Sequence, residues 1–223
     1  LALKVLVAVT GMQREAKLLR RSCDVIVAGS DNSTLASKIE PAITRAARAI
    51  LSFGICGALS PALATGTLIV GTDIVGQNER WRAAEAWSRT LASSCDATAG
   101  AVAGTDSVLL MEDSKAALHQ QTGAIAADME SHIVALVAAR HGLPFAVLRA
   151  VSDAAHHALP PAAAFGLNEE GYVDYSAVML SLLDEPSQIS ALIRTARDTN
   201  TAMKALLRCL ERLGPCLGCP YLV

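Results

Sequence analysis

The sequence predicts an α/β fold on a mainly parallel sheet, and three observations predict it. Short apolar runs alternate with helix-period segments along almost all of the 223 residues, the pattern of strands joined by crossover helices. One run, residues 146–151, is apolar apart from Arg149, as suits a strand buried on both faces. Acidic groups fall where strand candidates end, at Asp128-Met129-Glu130 and at Ser152-Asp153. In a parallel sheet the strand carboxyl ends converge on one rim, and ligands bind in the crevice there.

The elements follow in order. Residues 4–9 read as a first buried strand; the apolar opening is too short, and lacks the small-residue cleavage site, for a signal peptide. Further strands are predicted at 24–28, 49–53, 67–70, 99–104, 124–127 and 145–151, where β-branched and small apolar residues are bounded by turn formers. Helices are predicted at 12–20, 32–47, 114–121, 131–141 and about 187–213. Pro160-Pro161 and residues 166–171 mark a loop-rich passage before the last helices. In the terminal helix Ile189, Leu192, Ile193, Ala196, Met203, Leu206, Leu207 and Leu210 share one face, with Arg194, Arg197, Lys204, Arg208 and Arg212 largely elsewhere. That pattern suits a helix packed on the sheet with a solvated basic face; contact with lipid is the sharper alternative. Residues 1–213 read as one domain that includes the helical segment 187–213, and 214–223 as a loose tail.

Composition narrows the function. Charged residues make up 18%, the net charge is −2 and aromatics are 4%, which argues against a nucleic-acid partner. No apolar run reaches bilayer-spanning length, so a cytoplasmic protein is expected. Cys23, Cys56, Cys95 and Cys209 are dispersed among apolar neighbours and are expected to be reduced. Cys216 and Cys219 have metal or redox spacing but lack a second such pair, so no metal site is expected.

Four constellations carry candidate chemistry. Gly11-Met12-Gln13-Arg14-Glu15 follows the first strand; the glycine permits a tight turn and the next amides can face an anion or sugar. A carboxylate in a first helical turn is also favoured by the helix dipole alone. Ser52-Phe53-Gly54-Ile55-Cys56-Gly57 reads as a strand entering a glycine-spaced loop, without the spacing or the acid of a dinucleotide site. Asp128 can cap the helix that starts near Ser131. Glu130 opens that helix on the ligand rim, where a carboxylate can accept both hydroxyls of a ribose, and Met129 offers the ring a soft apolar surface. Asp153, beside the most apolar strand, is placed to hold and donate a proton, or merely to cap a turn. His156 and His157 follow it, with no third ligand for a metal.

In order and spacing these pieces resemble the purine nucleoside phosphorylases and the methylthioadenosine/adenosylhomocysteine nucleosidases, over about residues 3 to 183. The stretches 52–57, Asp128-Met129-Glu130-Ser131-His132, 142–149 and 158–162 are most similar to the hopanoid-associated phosphorylase branch, implicated in removing adenine from adenosylhopane. The resemblance implies a three-layer α/β/α sandwich with a mixed, partly barrel-like sheet, assembled as a homo-oligomer, a dimer being favoured. It also implies roles: Glu15 activates water, Met129 and Glu130 hold the ribose, Asp153 protonates the purine N7 with Ser152 beside it, and Ser107 and Val108 cover the base. Gly11, Gly54 and Ile55 fall at the nucleophile or phosphate loop.

The expected reaction is release of adenine from a 5′-substituted adenosine, by hydrolysis and without cofactor; the substrate is a small nucleoside, with a lipid-linked one and peripheral membrane contact left open. The alternatives are a phosphate-dependent phosphorylase and a nucleoside- or lipid-binding protein without turnover. Ile55 replaces a hydroxyl residue that helps hold phosphate in many members, and Glu15 would repel a phosphate dianion unless Arg14, Arg45 or Arg48 intervened. The nucleosidases' base-covering aromatic is replaced by Ser107 or Val108, which leaves stacking to Phe165 or Phe53.

Overall fold

The computed structural model describes residues 5–222. It contains β1 (Leu6–Thr10), α1 (Gln13–Leu19), β2 (Asp24–Val27), α2 (Leu35–Arg45), β3 (Ala49–Ala58), β4 (Leu68–Val75), β5 (Arg80–Arg82), α3 (Glu85–Cys95), β6 (Thr98–Gly104), α4 (Glu112–Thr122), β7 (Ala126–Asp128), α5 (Ser131–Arg140), β8 (Phe145–Asp153), α6 (Tyr175–Asp184) and α7 (Ile189–Leu213). All seven strand candidates form strands; Lys4, the start of the first, lies outside the described residues.

The sheet closes on itself. β3 pairs with β7, β7 with β6, β6 with β4, β4 with β8, and β8 with β3 again. The β3–β7 and β4–β8 joints are antiparallel, so the barrel-like ring is mixed. β1 and β2 extend it as parallel strands beyond β3, and β5 adds an antiparallel edge to β4. Closure leaves the ring itself without an open edge, β2 and β5 being the sheet's outer strands, and brings the ends of β1, β3, β6, β7 and β8 close enough to share a site.

Every residue of β8 is buried, because helices cover both faces of the sheet. On one side Trp87, Leu91, Met203 and Leu206 from α3 and α7 pack on Phe53 and Leu148. On the other, Val134 and Val137 of α5 and Ile39 of α2 pack on Ile50 and Val147. α7 is thus the sheet-packing helix its pattern predicts, although Ile189 and Ile193 in its first turns stay exposed. Among the described residues no helix is long and apolar enough to cross a membrane.

The structure corrects several expectations. β3 continues as a strand through Gly54 to Ala58 where a loop was expected, because the missing Cβ atoms there make room for carboxylates. β5, α3 and α6 were not expected: β5 is three residues long, α3 offers few apolar residues per turn, and α6 has no buried residue. The tail after Leu213 is not loose. Leu217 and Cys219 are buried, and the Trp87 indole N–H donates to the Leu217 carbonyl at 2.9 Å. Nor are the first four cysteines all reduced: Cys95 and Cys209 form a disulfide that links α3 to α7, since facing small apolar positions brought their sulfurs together. Cys23 and Cys56 take no part in that disulfide and are buried.

Candidate active site

Glu15 enters the site from α1. The turn at Gly11 and Met12 sends the chain from β1 back under the rim, and Glu15 is 1% exposed. One carboxylate oxygen accepts the Met12 backbone N–H at 2.9 Å and the other accepts the Ile55 N–H at 2.8 Å. This approach depends on glycines. A Cβ on Gly54 would lie 2.5 Å from Glu15 Oε1 and 2.8 Å from Arg149 Nη1, and one on Gly11 would lie 2.7 Å from Glu130 Oε1. The candidate loop residues Gly11, Gly54 and Ile55 therefore do converge, around Glu15.

The group that gathers the acids is Arg149, 1% exposed in the middle of β8. Its Nε lies 2.6 Å from Asp128 Oδ2, a close charge contact with the N–H misaligned for a hydrogen bond. Its Nη2 reaches Glu130 Oε2 at 3.1 Å and donates to Ser52 Oγ at 2.6 Å. Asp128 accepts the Ser131 backbone N–H at 3.0 Å and also its hydroxyl, so it both finishes the start of α5 and anchors Arg149. Burial opposes the Arg149 charge, but Asp128, Glu130 and Glu15 more than offset it and hold its proton more tightly than usual.

Burial dominates the Glu130 and Glu15 carboxyls. It lifts the Glu130 carboxyl to about 7, with Arg149 pulling the other way and Asp128 and Glu15 adding to the rise. Burial likewise raises Glu15 above the ordinary carboxylate value against the pull of Arg149 and of the Ile55 and Met12 amides. Glu130 can therefore take up a proton near neutrality, and Glu15 holds one more readily than an ordinary carboxylate does. Met129, beside Glu130, is half-buried, and its carbonyl accepts from Asn32 Nδ2 at 2.8 Å.

Asp153 closes the other flank. β8 pairs with β3 so that Asp153 lies opposite Gly57, whose far side pairs with Ala127. A Cβ on Gly57 would be 3.0 Å from Asp153 Oδ2. Oδ1 accepts the Ser152 hydroxyl at 2.9 Å, and Oδ2 accepts from Lys115 Nζ at 2.6 Å. No turn is capped by Asp153; its partners are side chains. Ser107 and Val108 lie in the loop after β6, whose last residue pairs with Asp128, so they border the same rim.

Other candidates are not brought in. Phe53 is fully buried in the core and cannot stack on a base, whereas Phe165 is 66% exposed. Arg14 is exposed and donates to Asn200. Arg48 is exposed at the opposite end of β3 from Gly57, and the Arg45 side chain lies outside the described residues. The His156 and His157 rings contact each other with centroids 4.4 Å apart; toward Asp153 only the His157 backbone carbonyl contributes, as an acceptor for Lys115.

Two functional residues were missed. Arg149 had a signal: a cation inside an apolar strand must be paired with buried acids. Lys115 had none, since α4 is polar on most sides.

A closed mixed sheet whose rim gathers buried acids around one buried cation is the frame of a polar small-molecule site. The family comparison makes that class specific. The model of the phosphorylase superfamily matches residues 5–183, and the chain belongs to that superfamily, as an enzyme of glycosidic-bond cleavage. A comparison with curated protein sequences gives no match. Among solved structures, the chain is similar to the methylthioadenosine nucleosidase of Helicobacter pylori holding 5′-methylthioadenosine, at 17% identity and TM-score 0.63, over 93% of this chain and 98% of that one. It is also similar to futalosine hydrolase of the same organism, at 17% identity and TM-score 0.64, over 94% and 97%. The adenosylhomocysteine nucleosidase of Streptococcus pyogenes, bound to 5-methylthiotubericidin, gives 16% and TM-score 0.65, over 96% and 98%. At these identities the likeness is one of fold.

Proposed function

We propose that the protein hydrolyses the N-glycosidic bond of a 5′-substituted adenine nucleoside, releasing adenine. The observation that carries hydrolysis over phosphorolysis is where the Glu15 carboxylate sits. Its two oxygens occupy the Met12 and Ile55 amides, the donors a phosphate would need. Arg149 is already committed to Asp128 and Glu130, so an incoming dianion would meet surplus negative charge.

Each group then has one task. Glu130 accepts the ribose hydroxyls and, with Glu15, favours the positive charge that builds on the sugar as the bond breaks. Glu15 takes a proton from the attacking water. Asp153 supplies the base with the proton that makes it a good leaving group, and Ser152 orients it. Ser107 and Val108 border the base. No metal or organic cofactor enters these steps.

The 5′ group is apolar in this reading, as in the lipid-linked nucleosides of the hopanoid branch that the sequence resembles. What supports it is a set of exposed apolar side chains, Phe165, Tyr172 and Val173, on the segment whose Gly171 carbonyl accepts the Gln13 N–H at 3.0 Å beside the Glu15 turn. The dimer expected from the resemblance has α6, with Leu180 and Leu183 exposed, as its candidate contact.

The test is adenine release from methylthioadenosine and from a long-chain 5′-alkyl adenosine, each with and without phosphate. Phosphate-independent release with preference for the alkyl substrate is expected. Strict phosphate dependence would remove Glu15 from the water-activating role. Asp153→Asn should lose turnover and keep binding; a variant at full rate would sink the general-acid assignment.

A further inference from the structure

Lys115 is buried, ionisable and unused by the reaction just described. It sits in the first turn of α4 with 1% of its side chain exposed. Three oxygens surround its Nζ: Asp153 Oδ2 at 2.6 Å, the His157 carbonyl at 2.9 Å and the Ala154 carbonyl at 3.2 Å. An ammonium has three N–H donors and nothing to accept with, so this surrounding fits the charged lysine and leaves no N–H unused. Asp153 takes the Ser152 hydroxyl on its other oxygen. Both its oxygens therefore accept, which is the arrangement of a carboxylate with no proton of its own to give.

The departing base needs a proton, and among the described residues the ammonium in contact with Asp153 is that of Lys115. We propose that Lys115 stores the proton that Asp153 delivers to the base, so that the two side chains act as one donor. The inference rests on the nucleosidase reading above and gives that reading a proton source.

The step balances. As the base covers the pair and excludes water, holding two buried charges becomes costlier, and one proton passes from Nζ to the Asp153 carboxylate. The neutral carboxylic acid gives that proton to the base as the glycosidic bond breaks and its electron pair leaves with the base. Asp153 returns to carboxylate with Lys115 as a neutral amine, while the proton from the attacking water rests on Glu15. Exchange with solvent after product release empties Glu15 and recharges Lys115. Lys115 touches no substrate and acts through Asp153, so it is a positioning and proton-holding residue. The titratable groups facing the pair are Cys56 from β3, which feels the Asp153 charge, His157 from the segment after β8, and His119 one turn along α4, which is bonded to the Ala124 carbonyl at 2.7 Å.

The alternative is a purely structural tie between α4 and the end of β8. Two variants separate them, Lys115→Arg and Lys115→Gln, with thermal unfolding and adenine binding confirming that each is folded. Arginine keeps the charge and the donors but does not give up a proton. K115R should therefore lose at least about 100-fold in kcat, with KM changed by less than about threefold. Glutamine leaves Asp153 to carry its own proton, so K115Q should retain rate under acid conditions and lose roughly tenfold per pH unit as that proton is removed, starting at lower pH than the wild type. A K115R rate within about threefold of wild type, or a K115Q pH profile that overlays it, overturns the proposal while leaving the nucleosidase reading standing. Should K115R not fold, the K115Q profile alone decides. A wild-type chain that releases no base from any of the nucleosides overturns both.

Discussion

Replacing Arg149 with methionine tests the architecture of the site most directly, because one cation there balances several acids. Its guanidinium lies 2.6 Å from Asp128 and 3.1 Å from Glu130. At an effective dielectric of about 20 these contacts correspond to roughly 6 and 5 kcal/mol of attraction. Burying the guanidinium offsets a large part of this, and leaving buried acids unpaired is the larger penalty, so the expected net loss is about 3–5 kcal/mol.

The loss should depend on pH with a definite sign. Arg149 is the largest influence holding the Glu130 and Glu15 carboxyls down against burial; without it both are raised further. A carboxyl whose folded-state value is raised stabilises the fold in its protonated form, and that contribution disappears as pH rises through the folded value. R149M should thus be close to wild type under acid conditions and most destabilised above about pH 8. Urea unfolding measures it: with a denaturant slope of about 3 kcal/mol/M, the midpoint should fall by about 1–1.7 M at alkaline pH and by less than half of that near pH 5. An equal shift at both pH values, or a negligible one, would refute the reasoning that Arg149 acts as the shared counter-ion.

Three further outcomes are expected. Glu130→Gln should raise stability by roughly 3 kcal/mol above pH 8 and do nothing near pH 4, because the native carboxyl is lifted by burial to about 7; unfolding curves at the two pH values check it, and a raised KM should accompany the change. Gly54→Ala would drive a methyl to 2.5 Å from Glu15 Oε1, so turnover should fall at least about 100-fold with a stability loss of about 1–3 kcal/mol, read by kinetics and by thermal unfolding. Cys209→Ala removes the link across 114 residues and should cost about 2–4 kcal/mol. The denatured wild-type chain should correspondingly titrate as four thiols, and as six once reduced.

The fold was legible where pattern and burial agree. β8 declared itself because a strand buried on both faces has no reason to alternate, and α7 because its apolar face repeats over many turns. α6 was not legible: its apolar residues run without a polar face, which is what a helix with no buried residue in this chain looks like. The disulfide escaped because Cys95 and Cys209 lie on elements far apart in sequence and only packing joins them. The acids of the candidate site were legible, since Glu15, Glu130 and Asp153 lie at or just beyond the ends of β1, β7 and β8, which the topology brings to one rim. Their electrostatic partners were harder to see. Arg149 could have been inferred from its strand; Lys115 is fixed by a hydrogen-bonding environment that no periodicity encodes.

The glycines explain why one sequence pattern leads to two opposite chemical expectations. Gly11 and Gly54 strip side chains from the rim, and a bare backbone turn beside a strand end is what an anion requires. From the sequence, that turn can equally receive phosphate or a carboxylate of the protein itself. The structure fills it with Glu15, so the negative charge that the amides attract is supplied from within the chain. Amides that bind a resident carboxylate no longer bind a second anion, whereas a carboxylate raised by burial gains affinity for a proton from neutral water. In the proposed hydrolase, the turn that would otherwise take phosphate is left to water because a single acid stands three residues into the helix behind it. On that proposal the choice of co-substrate lies with Glu15 and its burial, and the acid proposed at Asp153 is indifferent to it.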